Sequence, residues 1–153
     1  DPHTLLTRPD LRAMAWVETH TPPDSRFLGN SFFAFGDTLI VGSDGGWWLP
    51  QLAGRQTNLP PINYATEAGL QPGYLAWVND LERTVAENGT DYPETLQALA
   101  AHGSTHVYLG QRQGTVNYFG PPVLDPEMLL ASSNYELLYH QDRVWVFAVK
   151  PGW

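Results

Sequence analysis

Helix-spaced segments and short β-rich runs alternate along this chain, and nearly every one is cut off by proline or glycine. In "RPDLRAMAWVETHTPPDS", Leu11, Met14, Ala15 and Val17 fall near helical spacing, Pro9 occupies the first turn, Asp10 lies near the positive end, and Pro22-Pro23 stop the segment. "RFLGN" (26–30) and "TLIVG" (38–42) read as strands. "YLAWVNDLERTVAENG" spaces Leu75, Val78, Leu81 and Val85 by three or four and meets Gly89, which predicts a helix. A second helix follows, with Pro93 early, Leu96, Leu99 and Ala100 on one side, and Gly103 at its end; "THVYLG" (105–110) then reads as a strand. Asp125, Pro126 and Glu127 form a helix start, and "YELLYHQDRVWVFAV" is two β-rich runs around Gln141, Asp142 and Arg143, a closing hairpin. The alternation predicts an α/β fold, three-layer, with a central mixed sheet, helices on both faces and a C-terminal antiparallel hairpin.

A length of 153 residues with 42% hydrophobic content is enough for one core, so residues 1–153 are expected to form a single domain. The net charge of −8 argues against nucleic acid and against an anionic membrane surface as partners. Cysteine is absent, which removes thiol chemistry, disulfides and thiolate metal sites. No apolar run approaches the roughly 18 residues that cross a bilayer. The chain opens at Asp1 without an initiator Met, as a piece excised from a longer protein, or one matured by cleavage, would.

The densest candidate for chemistry is "TLIVGSDGGWWLPQLAGRQTNLPP" (38–61). Ser43 stands where a strand should turn into a helix, as in a nucleophile elbow, but that motif wants glycine two residues before the serine and Val41 is there instead. A glycine-rich turn capped by Asp44 is the simpler reading. Arg55, the local cation, is assigned either to a phosphate at this turn or, preferably, to an internal pair with Asp44. Trp47 and Trp48, with Tyr64, Tyr74 and Trp77, offer an aromatic platform for a sugar or a lipid headgroup, with at least one indole in the core. His102 and His106 have a metal-pair interval, but Gly103 should place them on different elements, so neither metal nor cofactor is expected. Asn88-Gly89-Thr90 satisfies the N-glycosylation sequon and carries little weight.

Three segments, "DGGWWLPQLAGRQTNLPP", "LAAHGSTHVYLG" and "YELLYHQDRVWVFAV", together resemble the soluble C-terminal extracytoplasmic domain of bacterial polytopic membrane glycosyltransferases of the GT-C type, which use lipid-linked sugar donors. The closing hairpin pattern of that family is matched by Tyr135, Tyr139, Val144, Val146 and Phe147. The opening stretch is also similar in layout to the tryptophan and aspartate segment of the oligosaccharyltransferase catalytic subunit, with Asp44, Gly46, Trp48, Arg55 and Thr57 matching its later parts. Gly42 and Ser43 replace the two tryptophans that precede the aspartate there, so that segment's peptide-binding role does not transfer. The resemblance implies a noncatalytic domain on the extracytoplasmic side of the cytoplasmic membrane, since the catalytic carboxylates of such enzymes lie in loops between transmembrane helices. Its implied partners are the transmembrane part of the parent chain and a lipid-linked sugar or glycan acceptor. Asp44-Gly45-Gly46 are then expected to turn a strand into a short helix anchored on the sheet by Trp47, Trp48 and Leu52, with Arg55 and Thr57 starting the next strand and Pro60-Pro61 ending it, and the ligand-binding residues are expected to be Asp44, Trp47, Trp48, Arg55 and Thr57. A small serine hydrolase using Ser43 and a pure protein-interaction module are the alternatives.

Overall fold

A computed structural model describes residues 3–34, 39–59 and 73–150. The elements run α1 (Arg8–His20), β1 (Arg26–Gly29), β2 (Ser31–Ala34), β3 (Leu39–Gly42), a 3-10 turn (Gly45–Trp48), α2 (Leu49–Leu52), β4 (Gln56–Thr57), α3 (Tyr74–Asn88), α4 (Pro93–Ala101), β5 (His106–Leu109), α5 (Pro126–Ala131), β6 (Tyr135–Gln141) and β7 (Val144–Val149). Five strands form one sheet in the order β4-β1-β5-β7-β6. β1 is parallel to β4 and β5, whereas β7 is antiparallel to both β5 and β6. The fold is thus α/β with a mixed sheet and a C-terminal antiparallel hairpin.

Local chemistry sets the helix ends. Thr7 and Asp10 form a reciprocal capping box at α1, with proline in the first turn. Asp125 caps α5 by accepting from the Glu127 N–H at 2.9 Å. Gly89, immediately past α3, and Gly103, two residues past α4, sit at φ +79° and +70°, a backbone that glycine adopts without a Cβ penalty. The hairpin turn instead puts Asp142 and Arg143 at φ 51° and 70°. Both central residues are left-handed, as a two-residue hairpin turn of matching twist requires, and Arg143 is a poor residue for it. Arg143→Gly is therefore expected to stabilise the fold by about 0.5–1 kcal/mol, read as a higher urea midpoint at unchanged slope. A lower midpoint would show that the Arg143 contact with Gln113 outweighs the relieved backbone strain.

Consecutive residues of the central strands enter different apolar clusters. Phe27, Tyr108, Val144 and Val146 pack with Ala13, Met14 and Val17 of α1 and Leu49 of α2. Leu28, Val107, Leu109, Trp145 and Phe147 pack with Leu81 and Val85 of α3, Leu96 and Leu99 of α4, and Leu129 of α5. Burial on both faces explains why "HVYL" and "VWVF" are continuous apolar runs rather than alternating ones.

Two expectations are corrected. The run 31–34 was not read as a strand, yet it is β2, which leaves the main sheet after a single residue, Asn30, and pairs only with β3. The expected anchors of the short helix were Trp47, Trp48 and Leu52, but Trp48 and Leu52 are each 40% exposed. Leu49 and Ala53 make that contact, because they are one helical turn apart on the sheet side. Thr38, the Pro60-Pro61 stop and Tyr64 lie outside the described residues.

Candidate functional site

β1 and β5 are parallel neighbours whose connections lead to opposite sides of the sheet: the next strand of the sheet after β1 is β4 at one edge, and after β5 it is β6 at the other. The crevice at the carboxyl ends of two such strands is where open α/β sheets bind ligands. Here Asn30 follows β1, Gly110 follows β5, and the turn at Asp44 closes over both. Asp44 is fully buried: its Oδ2 accepts from Asn30 Nδ2 at 2.9 Å and from the Gly110 N–H at 3.0 Å, and its Oδ1 accepts from the Gly46 N–H at 3.0 Å. Asn30 Oδ1 accepts from the Leu124 N–H at 3.1 Å, so one amide ties the β1 end to two loops.

Asp10, from the first turn of α1, completes the cluster. Its Oδ1 accepts from the Tyr108 hydroxyl at 2.7 Å and the Gln111 N–H at 3.3 Å, and its Oδ2 from the Thr7 hydroxyl at 2.7 Å and N–H at 3.1 Å. Burial pushes the Asp44 carboxyl up to about 6, against the pull of its three hydrogen-bond donors, and the nearby Asp10 charge adds to the rise. Burial and the Asp10 carboxylate likewise raise Tyr108 well above the usual phenol value. The packing leaves no room for a methyl group: a Cβ on Gly45 would lie 2.6 Å from Asp10 Cγ.

The five expected ligand-binding residues do not converge on one surface. Asp44 is interior, and it does cap the strand-to-helix turn as the sequence indicates. Trp47 is half-buried against Ile40, Leu59 and Val78, with its ring over Gly42. Trp48, one residue on, faces outward. Thr57 is buried, its hydroxyl donating to the Leu59 carbonyl at 3.1 Å.

The preferred Arg55–Asp44 pair does not form. Arg55 is buried at the C-terminal end of α1, where its guanidinium donates to the carbonyls of Glu18, Thr21 and Ala53 at 2.9, 2.9 and 3.1 Å and to the Thr21 hydroxyl at 3.1 Å. A helix C-terminus collects unpaired carbonyls and partial negative charge, which satisfy a guanidinium as well as a carboxylate would.

Ser43 is fully buried and its hydroxyl has no hydrogen-bond partner among the described residues, so no base is in place to activate it. His102 ends α4 with its ring bonded to the carbonyls of Ala98 and Trp77, whereas His106 lies in β5 and stacks on Phe27, so the two sit on different elements.

A second polar cluster escaped the sequence reading. Glu82, in the middle of α3, is buried, its Oε2 accepting from the Ser31 hydroxyl at 2.6 Å and its Oε1 from the Asn58 side-chain amide. Asn58 in turn accepts from the Gly29 N–H at 3.3 Å. Burial pushes the Glu82 carboxyl up to about 7, only partly opposed by these two donors. Glu82 borders a cleft of about 220 Å³ shared with Ser31, Phe32, Phe33 and Tyr118. A signal was present: Glu82 lies four residues after Val78 and three before Val85, on the apolar stripe of its helix, where a carboxylate is buried by default.

No protein-family model, curated protein or solved structure matches this chain.

Proposed function

We propose that this chain is a noncatalytic, extracytoplasmic α/β domain of a membrane glycosyltransferase-like protein, which helps to bind sugar or acceptor. The observation that carries the noncatalytic part is the filled crevice at the ends of β1 and β5. Three of the four carboxylate oxygens of Asp10 and Asp44 already accept two internal hydrogen bonds each, the fourth is taken by the Gly46 N–H, and both residues are fully buried, which leaves them no acceptor capacity facing a substrate. Among the described residues no helix is long and apolar enough to cross a membrane, and the reading assigns the spanning part to other residues of a parent chain. Support for sugar binding comes from Trp48, an outward-facing indole on a turn held rigid by Asp44 and Trp47; an exposed indole face suits the C–H surface of a sugar ring.

Titration with soluble oligosaccharides, followed by indole fluorescence, tests the rim. The wild type is expected to give a saturable change that weakens roughly tenfold or more in Trp48→Ala, on the scale of a well-buried aromatic contact. The variant should stay folded with only a modestly lower melting temperature, because Trp48 is 40% exposed and belongs to none of the core clusters. No response to any saccharide removes the binding role. The membrane assignment has its own test, a reading of the parent frame upstream of Asp1 for apolar spans of about 20 residues, and finding none overturns it.

A further inference from the structure

The cleft over Glu82 is separate from the Trp48 rim and does not depend on a glycosyltransferase parent. Its walls come from three elements: β2 supplies Ser31, Phe32 and Phe33, α3 supplies Glu82, and the segment after β5 supplies Tyr118. Phe32 and Tyr118 stack with ring centres 5.1 Å apart and planes 9° from parallel. The carboxylate is held by two neutral donors, Ser31 and Asn58, which fix its direction without balancing its charge. Among the described residues no arginine, lysine or histidine forms an ion pair with Glu82.

We propose that this cleft binds a small organic cation, a primary ammonium on a short apolar body, with the charge on Glu82 beside Phe32 and Tyr118 and the body against Phe33. Each Glu82 oxygen accepts one internal hydrogen bond, and a carboxylate oxygen has capacity for a second, so an ammonium with three donors can engage both. Aromatic faces attract cations through the ring quadrupole; one face of Phe33 already carries the Arg83 guanidinium 5.1 Å from its ring centre, so Phe32 and Tyr118 are the rings left to meet the ammonium end, and Phe33 meets the apolar body. The net charge of −8 favours the approach of a cation over that of an anion. A neutral hydroxylated ligand of the same size would leave the buried charge unbalanced, which separates this site from the sugar-binding rim. The ionisable groups around the carboxylate are Tyr118 across the cleft and Arg83, the next residue on α3. Because burial holds the carboxyl near neutrality, the anion that receives the ammonium is present at pH 8 and largely absent at pH 5.

Titration of the protein with propylammonium chloride, followed through the backbone amide resonances of Ser31, Phe33 and Glu82, tests the site. At pH 8 the shifts should be saturable; at pH 5, where the ligand is still charged, binding should weaken roughly tenfold or more. Glu82→Gln should abolish binding at pH 8, and 1-propanol should produce no comparable shifts. Tyr118→Leu, a change at the wall, should weaken binding several-fold with the fold intact, and it decides the matter together with the wild-type pH comparison if Glu82→Gln does not fold. The proposal is overturned by a lack of saturation at pH 8, by equal binding of 1-propanol, or by equal binding at the two pH values.

Discussion

Replacing Gly110 with alanine is expected to destabilise the protein by about 3 kcal/mol, the upper part of the range for overpacking a closed site, and to lower its melting temperature by roughly 10 °C. The new Cβ would lie 2.8 Å from the Gly45 nitrogen, 2.9 Å from Asp44 Cγ and 3.0 Å from Asp10 Oδ1. One of these is backbone, and both carboxyl groups are pinned by donors that would lose their partners if they moved. Relief must therefore come from opening the junction between β1, β5 and α1, with loss of buried hydrogen bonds worth about 1–3 kcal/mol each when left unmade. Gly54→Ala is the matched control: it has φ +62° but nothing within 4 Å of the added atom, so its cost should be confined to backbone strain of about 1 kcal/mol. Thermal melts of the two variants beside the wild type decide the point. Equal losses would show that the junction yields, and that Asp10 and Asp44 are less firmly held than their hydrogen bonds indicate.

The second large effect is an unusual dependence of stability on pH. Both Glu82 and Asp44 have folded values raised by burial, to about 7 and about 6, from ordinary values of 4.5 and 3.8. Between the ordinary and the raised value the folded chain holds a proton that the unfolded chain has released, so acidification through this window favours folding. Their contribution to stability is fully present below the unfolded values and is lost as pH rises through 6 and 7. Between pH 5 and pH 8 the loss amounts to about 2 kcal/mol from Glu82 and about 1 kcal/mol from Asp44. Urea unfolding at the two pH values should show the higher midpoint at pH 5. Glu82→Gln should remove most of the difference, because the carboxamide does not titrate. A protein no more stable at pH 5 than at pH 8, with Glu82→Gln behaving as the wild type, would mean that the carboxylate is stabilised by more than Ser31 and Asn58.

The residues that were legible in advance share a property: their signals are local. Pro9, Pro93 and Pro126 in first helical turns, Gly89 and Gly103 past helix ends, and Asp125 as a cap act within a few positions of themselves, so their meaning survives without the fold. Asp44 as the cap of a strand-to-helix turn belongs with them, since its capping oxygen, Oδ1, reaches only to Gly46, whereas its other oxygen meets Asn30 and Gly110 only in the folded chain. β2 was missed for the opposite reason. Its four residues continue directly from β1, and only the turn at Asn30, which is held by Asp44 and the Leu124 N–H, sends them into a separate ribbon.

By itself, then, the sequence determined the helices, the α/β class and the closing hairpin, because apolar period, caps and turn residues act at short range and largely independently of one another. Only the tertiary structure decided which polar groups are interior and what they meet. Asp10 and Tyr108 are 98 residues apart and Ser31 and Glu82 are 51 apart, and neither pair exists until the sheet has assembled. Arg55 turned from the expected Asp44 to the end of α1 on the same ground. A buried charge takes whichever acceptors the packed chain brings within hydrogen-bonding reach, and distance along the sequence does not rank them.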